Sequence, residues 1–123
     1  MRRVGVIASA LASLFLLADA AAEILAIPPV LQGAAHIGFP AASGFWQAIG
    51  AILLLATVLY MLPRTAFLGA VIVTGYLGGA ICSHVRMQED VLAPTVISLL
   101  VAAAVWAGLV LRDARLRDVL AGR

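Results

Sequence analysis

Four long apolar runs dominate the chain, at residues 4–27, 45–62, 66–84 and 91–111. At about 1.5 Å of helical rise per residue, each comes close to or exceeds the ~30 Å hydrocarbon core of a bilayer. Backbone N–H and C=O groups find no partner in hydrocarbon, so runs of this length must fold as helices that bond internally. Prolines agree with those limits. Pro28, Pro29, Pro40 and Pro63 stand between runs, and Pro94 falls in the first turn of the fourth, where its missing N–H is harmless. With 64% hydrophobic residues in 123, a soluble domain of this length could not hide its apolar surface. The expected fold is all-α: an integral membrane four-helix bundle, antiparallel and up-down-up-down, forming one transmembrane domain over residues 1–123.

Charge sets the expected orientation. Every basic residue except the two histidines is Arg. With both termini cytoplasmic, Arg2, Arg3, Arg64, Arg112, Arg115, Arg117 and Arg123 lie inside and only Arg86 lies outside, as the positive-inside rule requires. Tyr60, Phe67 and Trp106 then mark the inner aromatic belt, and Phe45 and Trp46 the outer one. A net charge of +2 is too small to suggest nucleic acid, so the bilayer is the expected partner. The long connection 28–44 has room for a short interfacial helix over 30–35. The link around Pro63 and Arg64 makes the second and third spans a hairpin. The tail 112–123 reads as a stop-transfer anchor rather than an amphipathic helix. Arg2-Arg3, the apolar run and Ala18-Asp19-Ala20 also match a cleavable leader. The apolar character resumes after Glu23, which favours a retained span.

Asp19 and Glu23 are costly in such a setting, by roughly 2.5–3.5 kcal/mol for an acid at mid-bilayer and less near an interface. Spaced four apart, they share one helix face, and that face must meet protein or water. Counting helical rise from Val4 puts Asp19 about 22 Å up and Glu23 about 28 Å up. Antiparallel threading brings Gln47, Ser83, His84, Thr95 and Ser98 to the same outer third, with Trp46 level with them, while the inner half holds almost nothing polar. The pattern predicts a polar chamber in the outer half of the bundle. Asp19 and Glu23 are candidate acid–base residues with His84. Trp46, Gln47, Tyr76, Ser98 and Arg86 are candidate ligand contacts. Two carboxylates one turn apart resist double ionisation, so His84, Arg86 or a proton must compensate them. Tyr76 lies near mid-membrane and its hydroxyl needs a partner. The other reading of the same residues is an ion-paired network that only fixes helix packing.

Gly75, Gly79 and Ser83 recur every four residues, a small-residue stripe expected to admit the first or second span closely. Cys82 is the lone cysteine, which leaves no disulfide or thiolate cluster. The two histidines form no metal pattern, so neither metal nor cofactor is expected.

The ordered set of local motifs resembles the DoxX-like family of small bacterial four-span membrane proteins. It comprises Leu14-Phe15-Leu16-Leu17 before Asp19, Pro28, Gly38-Phe39-Pro40, Leu62-Pro63-Arg64-Thr65 and Leu68-Gly69-Ala70. It continues with Thr74-Gly75-Tyr76-Leu77-Gly78-Gly79-Ala80, Ser83-His84-Val85-Arg86, Leu111-Arg112-Asp113 and Leu116-Arg117. The resemblance implies a four-helix bundle in a bacterial inner membrane and an association with membrane quinone and oxidase complexes. Family members similar to this chain often carry Lys where it has Glu23. Asp with Lys at i+4 is self-neutralising; Asp19 with Glu23 is not.

Three functions follow as expectations. One is an accessory subunit of a membrane redox complex, holding a quinone or other small lipophilic ligand, or assembling with copies of itself. Another is a small intramembrane enzyme using Asp19 and Glu23 for isomerisation, epoxide opening or cyclisation of a lipophilic substrate. The last is a purely structural bundle. If the first span is retained, intact-mass measurement of the purified protein will show a chain beginning at or next to Met1; a mass short by residues 1–20 would instead mean a removed leader.

Overall fold

A computed structural model describes residues 1–88 and 92–123. It contains α1 (Arg2–Ile24), α2 (Pro28–His36), α3 (Ser43–Met61), α4 (Ala66–Met87), α5 (Leu92–Arg112) and α6 (Ala114–Leu120). Four of these, α1, α3, α4 and α5, are long and apolar enough to cross a membrane. α1 packs on α3 and α5, and α4 packs on the same two helices. The four therefore form a ring in which α1 and α4 occupy opposite corners. The expected start of the fourth span at Val91, with Glu89 and Asp90 before it, lies outside the described residues.

The first span is shorter than expected and ends at Ile24 rather than Ile27. Ala26 turns left-handed at φ 47°. Its N–H bonds the Glu23 carbonyl at 3.0 Å, and the Ile27 N–H bonds the Ala22 carbonyl at 3.2 Å. This is a Schellman turn with alanine where glycine is usual. The prolines that follow explain it: Ile27 precedes Pro28, and a residue before proline is pushed out of the helical region. Pro28 and Pro29 then open α2, which is three residues longer than the expected interfacial helix, two at its start and one at its end. A second Schellman turn ends α2, with Gly38 at φ 75° and the Phe39 N–H on the Ala34 carbonyl at 3.0 Å. The tail departs from expectation. It folds as α6, whose first turn is capped by the Asp113 carboxylate accepting from the Arg115 N–H at 3.0 Å. Leu116 packs against the core, a contact that an unstructured anchor lacks.

The end of the bundle carrying the termini is tightly packed. A Cβ on Gly108 would stand 2.8 Å from the Ser9 backbone nitrogen, and one on Gly5 would stand 2.7 Å from the Arg112 nitrogen. α1 and α5 therefore touch backbone to backbone. Tyr60, expected in an interfacial belt, is instead fully buried. Its hydroxyl lies 2.8 Å from the Val105 carbonyl and 2.9 Å from Ser9 Oγ. A carbonyl can only accept, so Tyr60 donates to Val105 and the Ser9 hydroxyl donates to Tyr60. One phenol thus ties α1, α3 and α5. Arg112 covers it, donating to the Tyr60 carbonyl at 2.6 Å with its guanidinium 4.7 Å from the ring centroid, a cation–π distance. The expectation that this half lacks polar groups is overturned, because Ser9, Ser13 and Thr57 are also buried here. Thr57 satisfies itself on the Leu53 carbonyl at 2.8 Å.

The glycine stripe of α4 also behaves differently from expectation. Nothing lies within 4 Å of a Cβ built on Gly75, Gly78 or Gly79. Among the described residues no helix packs against them, and α1 sits across the bundle. The close contacts fall instead at Gly5, Gly50, Gly69 and Gly108. Thermal unfolding in detergent should separate the two sets. Gly108→Ala should lose about 1–3 kcal/mol through overpacking, whereas Gly78→Ala should be neutral or gain up to about 1 kcal/mol from helix propensity.

Candidate functional site

The opposite end of the bundle, under α2, holds a cavity of about 780 Å³. The two diagonal helices face each other across it, α1 with Phe15, Asp19 and Glu23, and α4 with Ile72, Tyr76, Ser83 and His84. Trp46, Ile49 and Ile52 of α3 form one flank, and Pro94, Ile97 and Ser98 of α5 the other. Pro29, Val30, Gly33 and Ala34 of α2 also contribute to the lining. Gly75 and Gly79 line it too, so the small-residue stripe makes room for the cavity rather than for a helix.

Local folding explains how the acids come to be here. On α1 the buried positions run Gly5, Ser9, Ala12, Leu16, Ala20 and Glu23, a three- and four-residue spacing that puts them on one inward stripe. Glu23 ends that stripe and is only 4% exposed. Gly50 of α3 lets α1 approach it: a Cβ there would stand 2.9 Å from both the Ala20 carbonyl oxygen and Glu23 Cβ. Asp19, one turn back, is half-buried.

Tyr76 joins the two acids. Its hydroxyl makes a short hydrogen bond to Glu23 Oε1 and lies 3.3 Å from Asp19 Oδ2. A phenol has one proton, so Tyr76 can donate fully to only one carboxyl at a time. The other oxygen of Glu23, Oε2, is buried with no hydrogen-bond partner in the described structure. Leaving such a group unmatched costs about 1–3 kcal/mol, and more where it is charged.

The predicted site residues divide. Asp19, Glu23, His84, Trp46, Tyr76 and Ser98 all line the cavity. Trp46 does so with its ring only, since its N–H donates to the Pro40 carbonyl at 2.8 Å. Phe39 and Phe45 stack edge-on or tilted around it, with centroids 5.5–6.1 Å apart. Gln47 does not line the cavity and is exposed. It matches Trp46 in depth, but one residue along a helix turns the side chain by about 100°. Arg86 does not reach the acids either. It is exposed and donates to the Ile37 carbonyl at 3.1 Å, which clips the end of α2 to the end of α4. Among the described residues no cation pairs with Asp19 or Glu23, and Tyr76 is their hydrogen-bond partner. No group of three or more His, Cys, Asp or Glu side chains gathers among the described residues as a metal site would need.

Sequence reasoning did not anticipate the lining contributed by α2 or by Phe15, Ile49, Ile52, Ile72 and Ile97. Apolar residues in apolar runs carry no signal that separates a cavity wall from a lipid-facing surface.

These features define a class: a multi-pass membrane protein built as a four-helix bundle with an acidic cavity at one end. The chain belongs to the DoxX-like family, whose model matches residues 7–108 and so spans every cavity-lining residue named above. No curated protein and no solved structure matches the chain.

The link between Tyr76 and the acids is measurable as a coupling. Tyr76→Phe should destabilise the protein by about 1–3 kcal/mol, because Glu23 Oε1 loses its donor. The Tyr76→Phe/Glu23→Gln pair should fall short of the sum of the single effects in a double-mutant cycle of thermal unfolding.

Proposed function

We propose that this DoxX-like membrane protein binds a small lipophilic molecule in the cavity beneath α2. The observation that carries this reading is the coincidence of an apolar-walled cavity of about 780 Å³ with a carboxyl oxygen, Glu23 Oε2, that is buried and unmatched by the protein. Cavities of some 300–1,000 Å³ with a few convergent polar groups are the usual form of small-molecule sites. Phe15, Ile49, Ile52, Ile72 and Ile97 suit a hydrocarbon body, and Asp19, Glu23 and Tyr76 orient a polar head.

A quinone fits the polar end less well than a ligand with hydrogen-bond donors. Its carbonyls only accept, so it can meet a protonated carboxyl group but supplies no donor to the remaining carboxyl oxygens. This weakens the quinone-bound form of an accessory role in a redox complex, while leaving the binding role intact. Acid–base catalysis is a second reading, favoured by the Tyr76 bridge between two carboxyl groups. Such a bridge lets one acid hold a proton while its neighbour lacks one. Under that reading Asp19→Asn and Glu23→Gln abolish turnover with the fold intact.

Filling the cavity tests the binding role directly. Gly79→Leu places a side chain where nothing lies within 4 Å of the new Cβ. The variant should fold and lose a lipophilic molecule that the parent retains through purification in mild detergent, read by native mass spectrometry. A parent that retains nothing, or a variant that retains the same molecule, would count against the proposal.

A further inference from the structure

The polar end of the cavity is short of hydrogen-bond donors. Asp19 and Glu23 present four carboxyl oxygens, and the protein brings one phenolic proton to them. The residue with the unmatched oxygen is more than nine-tenths buried and stands in the cavity wall.

Among the described residues no cation of the chain is paired with these acids. Arg86 is held by the Ile37 carbonyl outside the cavity lining. His84 lines the wall, but eight residues beyond Tyr76 it lies about 12 Å further along α4. The remaining arginines, Arg2, Arg3, Arg64, Arg112, Arg115, Arg117 and Arg123, stand at the termini end of the bundle. Asp19 is about 26 Å along α1 from Arg2, and Glu23 about 32 Å.

We propose that the molecule the cavity selects is a lipophilic amine, held as its ammonium ion by Glu23 and Asp19. This rests on the binding role proposed above and names the ligand class. A primary ammonium carries three N–H donors and one positive charge. With a turn of the Glu23 carboxyl, whose Oε2 has no exposed surface in this structure, it can serve Glu23 and Asp19 together and neutralise the pair. An amine meets either charge state of Glu23: its ammonium form donates to the carboxylate, and its neutral form accepts the carboxylic proton and becomes that ammonium. An alcohol brings one donor and no charge. A fatty acid adds a third carboxyl group to a site that already has two. Hydrogen bonds to a charged group are worth about 1.5–3 kcal/mol each, so the amine should lead the alcohol of equal length by at least about tenfold in affinity.

The test uses the full chain in a neutral maltoside detergent, with decylamine, 1-decanol and decanoic acid as probes. Binding is read from the fluorescence of Trp46 in the cavity wall, with Trp106→Phe as the common background, and from the shift in melting temperature. Decylamine should bind at least about tenfold tighter than decanol. Glu23→Gln, which keeps the acceptor for Tyr76, should remove that advantage. Asp19→Asn should reduce it in the same direction, which keeps the test decisive if one variant folds poorly. Gly79→Leu should abolish binding of both probes. If decylamine and decanol bind equally, or Glu23→Gln leaves decylamine unaffected, while Gly79→Leu still abolishes binding, the amine assignment is wrong and the cavity role survives. If binding of every probe is indifferent to Gly79→Leu, both fall.

Discussion

A carboxyl group cannot be left facing hydrocarbon, and this chain places two on one face of one membrane-spanning helix. That constraint fixes how α1 is turned about its own axis. Once Asp19 and Glu23 point inward, Leu16, Ala12 and Ser9 follow on the same stripe, and Leu11, Leu14 and Phe15 are left more exposed. The inward stripe needs close neighbours, and Gly50 and Gly108 supply them by letting α3 and α5 approach to backbone distance. The rotation that buries two acids at one end therefore also brings Ser9 to Tyr60 at the other.

The two ends of the bundle use their small residues in opposite ways. Near the termini, Gly5, Gly69 and Gly108 are filled by backbone atoms of the next helix, and Tyr60 under Arg112 ties three helices together. Under α2, Gly75 and Gly79 meet nothing, and α1 stands off from α4 across the cavity. Dense packing at one end allows the other to stay open, because a close-packed interior has low compressibility and resists collapse. The two Schellman turns and the Arg86 clip then hold α2 over the opening. The bond from Arg86 to the Ile37 carbonyl depends on Gly38 beside it, since a Cβ at that position would stand 3.0 Å from the guanidinium.

Tyr76 gives the cavity its chemical character. With two acids, one phenolic proton and no cation paired with them among the described residues, the site leaves Glu23 Oε2 unmatched. In water such a deficit would be met by solvent at little cost. In an apolar-walled cavity the unmatched group keeps its desolvation penalty, which the proposed ligand would relieve.

Much of this was legible in the residues alone. The four helices, the shared face of Asp19 and Glu23, and the placing of Trp46, His84 and Ser98 in the same outer third as those acids all follow from hydropathy and helical rise. Depth is linear in residue number, so the sequence determines it. Azimuth is not: whether a side chain at the right depth faces a cavity, a neighbouring helix or lipid depends on how each helix is turned and which helices are adjacent. Gln47, one residue from Trp46, turned outward. Arg86, two residues from His84, turned to a loop carbonyl. The stripe of Gly75 and Gly79 met empty space because α1 and α4 took opposite corners of the ring. Those outcomes belong to the tertiary structure, since they are settled by contacts between helices distant in the chain and by no periodicity within any one of them.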